Sequence, residues 1–144
     1  MSNQPLAIPA QTSPFYSCHI PVRWGDMDAF GHVNNTVYFR YFEETRFQWM
    51  IAEGIPVGGD TYPVVVNIGC TFFRPLFHPD TLRIDIYISE PGRSSFMVTY
   101  KLYSSADLEN PSSEGYSKVV WVEKATGKSV ALPDAVRAWF SEVS

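Results

Sequence analysis

Cysteine is scarce in this chain of 144 residues. Only Cys18 and Cys70 are present, and neither stands in a C-x-x-C or metal-like spacing. That excludes a disulfide-framed scaffold and points to a reduced, cytoplasmic protein, with a single Cys18–Cys70 bridge as the alternative. An excess of positive charge is also missing: 11 Lys and Arg stand against 15 Asp and Glu, and the net charge is -4. No basic run follows from which phosphates could be tracked, so no nucleic-acid partner is expected. No apolar run approaches the roughly 20 residues of a membrane span, so no membrane partner is expected either. The opening residues show no basic region followed by an apolar one, so no secretory signal is expected there. Residues 1–14, with Pro5, Pro9 and Pro14 among Ser, Gln and Ala, read as a flexible tail. There is no G-x-S-x-G motif, and neither cysteine is near a histidine in sequence, so a Ser or Cys nucleophile is not indicated.

What is present is apolar and aromatic. Ten Phe, eight Tyr and four Trp in a chain of this length are enough for one core, and the size is that of one domain. Residues 15–144 are therefore expected to form a single domain. Phe15 to Arg23 alternates through Tyr16, Cys18, Ile20 and Val22 and predicts a strand. Trp24 to Asn35 is a loop rich in Asp, Gly and Asn. Thr36 to about Glu53 predicts one long helix: Tyr38, Phe42, Thr45 and Trp49 form an apolar stripe that Phe39, Phe47 and Met50 widen. Asn34 or Asn35 suits its N-cap, and Gly54 with Pro56 its end.

Four strands are predicted after that. Pro63 to Phe73 ends in Arg74-Pro75. Thr81 to Ser89 puts Leu82, Ile84, Ile86 and Ile88 on one face. Ser95 to Tyr103 does the same with Phe96, Val98, Tyr100 and Leu102. Gly115 to Glu123 is read with Tyr116, Val120 and Val122 as its apolar set. Pro133-Asp134 opens a short helix with Val136, Trp139 and Phe140. One long helix must cover the apolar face of these strands, which gives an α+β fold: a curved antiparallel sheet wrapped around a long central helix. The open edges of such a sheet predict a homodimer or homotetramer.

The chemistry is concentrated in Trp24 to Tyr38. Two carboxylates, an imidazole and two carboxamides stand just before an apolar helix. A carboxylate can attack a carbonyl or act as general base on water. Histidine can position or relay a proton near neutral pH. The first N–H groups of a helix have no internal partners and can hold an oxyanion. Asp28, His32 and Asn35 thus fit acyl transfer to water. The blander alternative is that the aspartates shape a turn and the asparagines cap the helix. Asp26, Asp28 and His32 match no common zinc spacing, so no metal is expected.

The run Asp26-Met27-Asp28-Ala29-Phe30-Gly31-His32-Val33-Asn34-Asn35-Thr36-Val37-Tyr38 resembles the D-x-D-x-x-G-H-V-N-N-x-x-Y signature of hot-dog fold acyl-CoA thioesterases of the 4-hydroxybenzoyl-CoA thioesterase type. Tyr41-Phe42-Glu43, Arg74-Pro75 and Pro91-Gly92-Arg93-Ser94-Ser95-Phe96 are similar as well, and the likeness spans about residues 16–124. It implies a hydrolase for acyl-CoA, with acyl carrier protein as the other carrier, and no cofactor. Asp28 falls at the catalytic carboxylate, as nucleophile or general base. Asn35 falls at the helix-start position whose backbone N–H polarises the thioester carbonyl, and some relatives carry Tyr or His there. The His32 and Asn35 side chains would orient water, the carboxylate or the loop. Tyr38 and Phe42 would flank the acyl group, and Arg93, Ser94 and Ser95 the nucleotide part of CoA. The site would lie between two subunits. A hot-dog hydratase or dehydratase is the first alternative, although its D-x-N-P-x-H spacing is absent. A non-catalytic acyl-thioester binder is the second.

Overall fold

The computed structural model describes residues 13–56 and 58–141, so most of the predicted tail lies outside the described residues. The strands are β1 (Tyr16–Pro21), β2 (Thr61–Phe72), β3 (Thr81–Ser89), β4 (Ser95–Tyr103) and β5 (Ser113–Glu123). The helices are α1 (Asn35–Ala52) and the short α2 (Asp134–Arg137). The sheet runs in the order β1-β3-β4-β5-β2 and every neighbouring pair is antiparallel. α1 lies across it, with Phe42 stacked on Tyr100 of β4.

α1 starts where the sequence predicts. Asn34 caps it, its side-chain oxygen accepting from the Thr36 N–H at 3.0 Å and the Thr36 hydroxyl at 2.9 Å. Gly54, with φ 79°, ends it in the left-handed conformation that an L side chain resists. The buried stripe is Tyr38, Tyr41, Phe42, Thr45, Trp49 and Met50. Relative to the prediction it is rotated: Tyr41 is inside, Phe39 is half-buried and Phe47 is 52% exposed.

The central strands follow their alternation. Leu82, Ile84, Ile86 and Ile88 of β3 and Phe96, Val98, Tyr100 and Leu102 of β4 are each no more than 1% exposed. β5 departs from its expected set. Its core face is Ser113, Gly115, Ser117, Val119 and Trp121, while of the expected set Tyr116 and Val120 are only half-buried on the other side and Val122 is buried. The reason is volume. Phe42 stacks on Tyr100 at 4.4 Å between ring centroids, and its ring fills the space a Cβ on Gly115 would need. Small residues are what admit the helix, so three of the five core-face residues of β5 are Ser or Gly.

The far end of α1 is closed by rings. Trp49 meets Phe15, Phe96 and Trp139 at 5.6, 6.3 and 4.7 Å. The two cysteines are unbonded, and Cys18 donates to Thr45 of α1 at 3.3 Å.

β2 is the exception to this packing. It pairs only with β5, carries a bulge between Val65 and Asn67, and exposes Tyr62, Val65, Val66, Ile68 and Phe72. A long apolar edge is a surface that monomeric proteins avoid. The opposite edge, β1, has six residues and ends in proline.

Candidate active site

The loop before α1 is a small hydrogen-bonded structure. Residues 28–32 form a closed turn: the Asp28 N–H donates to the His32 carbonyl at 2.8 Å, and the Gly31 N–H to the Asp28 carbonyl at 3.1 Å. Gly31 sits at φ 81°, which the turn requires of its tip. Val33 is buried and its N–H donates to the Leu76 carbonyl at 2.9 Å, pinning the loop to the segment after β2.

The two aspartates are used differently. Asp26 is a brace. Its Oδ2 accepts from the Arg23 N–H at 2.9 Å and from the Tyr41 hydroxyl at 2.7 Å. Burial, followed by the Asp26 hydrogen bond and charge, pushes the Tyr41 hydroxyl well above its ordinary value, so it stays a donor. Asp28 has one carboxylate oxygen in the turn: Oδ1 accepts from the Phe30 N–H at 2.9 Å and the His32 N–H at 3.4 Å. Its Oδ2 has no partner among the described residues.

Asn35 is the first residue of α1 and exposed. Around it the donors are spoken for: the Asn34 N–H bonds the Asp26 carbonyl, the Thr36 N–H bonds the Asn34 side chain, and the Val37 N–H bonds the Asn34 carbonyl. The Asn35 N–H meets no acceptor among the described residues. The loop therefore presents a free carboxylate oxygen and a helix-start N–H without a partner.

His32 is exposed, and its ring lies edge-on to Phe77 at 5.2 Å. Its links to Asp28 run through its backbone carbonyl and N–H, not its imidazole. Tyr38 and Phe42 are 1% and 2% exposed, inside the core beneath the loop, and offer no surface to an acyl group in the single chain. Tyr38 packs edge-on to Phe72 at 4.8 Å, and burial raises its hydroxyl to about 12.

Arg93, Ser94 and Ser95 stand at the other end of α1. Arg93 and Ser94 lie in the β3–β4 turn and Ser95 opens β4, next to Phe96, which packs on Trp49. The turn is held by its backbone: the Arg93 carbonyl accepts from the Leu132 N–H at 2.8 Å and from Arg137 at 3.1 Å, and the Ser94 carbonyl accepts from the Trp121 N–H at 2.8 Å. The Arg93 side chain is exposed. From Asn35 to Trp49 the helix rises about 21 Å, so one chain does not bring the two groups together.

The sequence reading missed a groove. It is about 540 Å³ and runs between the second half of α1 and the first half of β2, lined by Phe47, Met50, Ile51, Tyr62, Val64 and Val65 among others. Phe47 was the signal, since an apolar helix residue off the core stripe needs another partner.

Comparison with known proteins adds the following. The family model described as the thioesterase-like superfamily matches residues 22–140. The long-chain acyl-CoA thioesterase FadM of Escherichia coli (strain K12) is 38% identical over 127 residues, covering 82% of this chain and 91% of that one. A 1,4-dihydroxy-2-naphthoyl-CoA hydrolase of Prochlorococcus marinus (strain NATL2A) is 26% identical over 136 residues, covering 85% of each chain. Among solved structures, the PA2801 protein of Pseudomonas aeruginosa is 40% identical with a TM-score of 0.85, covering 89% of this chain and 99% of that one.

Proposed function

The chain is a member of the thioesterase-like superfamily, a thioester hydrolase, and we propose that it cleaves acyl-CoA to the free acid and CoA, with Asp28 driving the attack. The relatives named as acyl-CoA thioesterase and as 1,4-dihydroxy-2-naphthoyl-CoA hydrolase support the CoA thioester as substrate. The observation that carries the reading is the pair of unpartnered groups in one loop: Asp28 Oδ2 and the Asn35 N–H.

The thioester carbonyl would sit over the start of α1. The Asn35 N–H, with the partial positive charge of the helix end, stabilises the oxyanion as the carbon becomes tetrahedral. Asp28 attacks the carbonyl through Oδ2 or takes a proton from the attacking water, and Oδ1 is held by two backbone N–H groups meanwhile. The thiolate of CoA leaves with the electron pair of the C–S bond; on the nucleophilic route water then splits the mixed anhydride left on Asp28, returning the free acid and the carboxylate, and on the general-base route Asp28 passes the proton it took from water to the departing thiolate. His32 orients water or leaving group from the solvent side. Tyr38 and Phe42 support the helix start from below.

A second copy is proposed to cover β2. Antiparallel pairing of two β2 edges would set the Arg93–Ser95 turn of one chain at the end of the sheet where the other chain's α1 begins. That would join the two groups that one chain keeps apart, with Arg93 available for the CoA phosphates. Residues 15–144 are proposed to act as one domain.

The test is thiol release over a panel of short, long and aromatic acyl-CoAs, with enoyl-CoA absorbance followed in parallel. Release with any acyl-CoA is expected. Binding of CoA thioesters without release, or a change in enoyl absorbance alone, would overturn the reading.

A further inference from the structure

One charged side chain of α1 is left without a counterpart. Arg46 is half-buried between helix and sheet. Its Nη1 donates to the Tyr100 hydroxyl at 3.0 Å and to Ser117 Oγ at 3.3 Å, and Tyr100 donates in turn to Ser117 at 2.9 Å. These acceptors are neutral, and burial pushes the Tyr100 hydroxyl up, so it does not ionise to balance the cation. Among the described residues Arg46 forms no ion pair. Glu43, one turn back, is held by Arg40 at 2.7 Å. A cation partly withdrawn from water gains from an anionic partner.

Arg46 borders the apolar groove between α1 and β2. The other charged residues there are Lys124 and the already paired Glu43, so the groove is apolar with a surplus of positive charge. A guanidinium has five N–H donors, and only Nη1 is engaged with the sheet. The donors on Nε and Nη2 have the fork geometry that suits a carboxylate.

We propose that this groove takes the acyl chain of a thioester carrying a second carboxylate at its far end, and that Arg46 is the specificity-determining residue that pairs with it. The proposal rests on the hydrolase reading above. Length is consistent with it. From Asn35 to Arg46 the helix rises about 16 Å, and helical side chains lean back toward the N-terminus. An extended chain covers ~3.5 Å per three bonds, so an acyl group of roughly ten carbons spans about 11 Å from the helix start, and the arginine side chain leaning back along the helix spans the remaining ~5 Å.

The experiment compares kcat/KM for sebacoyl-CoA, the CoA monoester of the ten-carbon diacid, with that for decanoyl-CoA, using the full chain. The wild type is expected to favour sebacoyl-CoA by at least about tenfold, the worth of one charge-assisted hydrogen bond. Arg46→Gln keeps a donor for Tyr100 and Ser117 but not the charge, and should bring the ratio close to one. Arg46→Lys should restore part of it. Calorimetric titration of wild type and Arg46→Gln with sebacate and with 1,10-decanediol, which has the same chain and no carboxylate, reads the groove without turnover, so the test stands even if neither ester is hydrolysed. Tighter sebacate binding that Arg46→Gln abolishes is expected. A wild-type preference for the ligand without the far carboxylate, or a preference that Arg46→Gln leaves unchanged, overturns the proposal.

Discussion

The two ends of α1 are built from opposite materials. At its start, Asp28, His32 and Asn35 sit in or beside a hydrogen-bonded turn, largely exposed, with side chains or N–H groups left over. At its far end Trp49 is 1% exposed and ringed by Phe15, Phe96 and Trp139, and the N–H of its own indole is sealed in without a partner. One end gives up packing to keep polar groups available. The other gives up a hydrogen bond to keep packing. A rigid helix links them, so the packed end fixes the position of the polar one.

Substitutions at the two ends should therefore separate stability from activity. Trp49→Ala is expected to have the largest effect, destabilising by roughly 3–5 kcal/mol as large core truncations do. Thermal or denaturant unfolding measures it, and a loss below about 0.5 kcal/mol would mean that the far end does not hold the helix. Asp28→Asn should do the reverse. The fold and substrate binding stay, and turnover falls at least ~100-fold, the lower end of a general-base contribution. Near-normal turnover by a folded Asp28→Asn variant would remove Asp28 from the mechanism. Asp26→Asn, by contrast, should chiefly lower stability through the lost Tyr41 bond.

The next effect lies on β2, which neither end of α1 covers. Wild-type mass by light scattering at micromolar concentration should be that of a dimer or tetramer. Val66→Lys, at a residue 57% exposed on the bulged edge, should shift it toward monomer and lower thiol release together. A monomeric wild type would sink the shared-site reading.

The smallest effect is alkaline. Tyr38 has an ordinary value of 10.0 and is held at about 12 by burial. Its folded value is raised, so its contribution to stability is complete below pH 10 and is lost as pH climbs from 10 to about 12. Melting temperature should drop across that window, and less steeply in Tyr38→Phe. An identical pH profile in both proteins would show that Tyr38 does not govern it.

Much of this architecture is written in local pattern. The alternation in β3 and β4 named their buried faces, the asparagine and glycine signals set α1 within a residue at each end, and the D-x-D-x-x-G-H-V-N-N run marked the loop. Local pattern suffices there because capping, turn formation and amphipathic alternation are settled by residues a few positions apart. Tertiary structure decided the rest. Only packing against Phe42 makes Gly115 and Ser117 the core face of β5, because what fits beneath an aromatic ring depends on volume and not on hydropathy. Only the fold distinguishes Asp26, tied to Tyr41, from Asp28, which keeps an oxygen free. And only the lie of α1 across the sheet sets Arg46 beside an apolar groove and Arg93 a helix length from Asp28, since residues distant in sequence meet or part according to how the sheet curves around the helix.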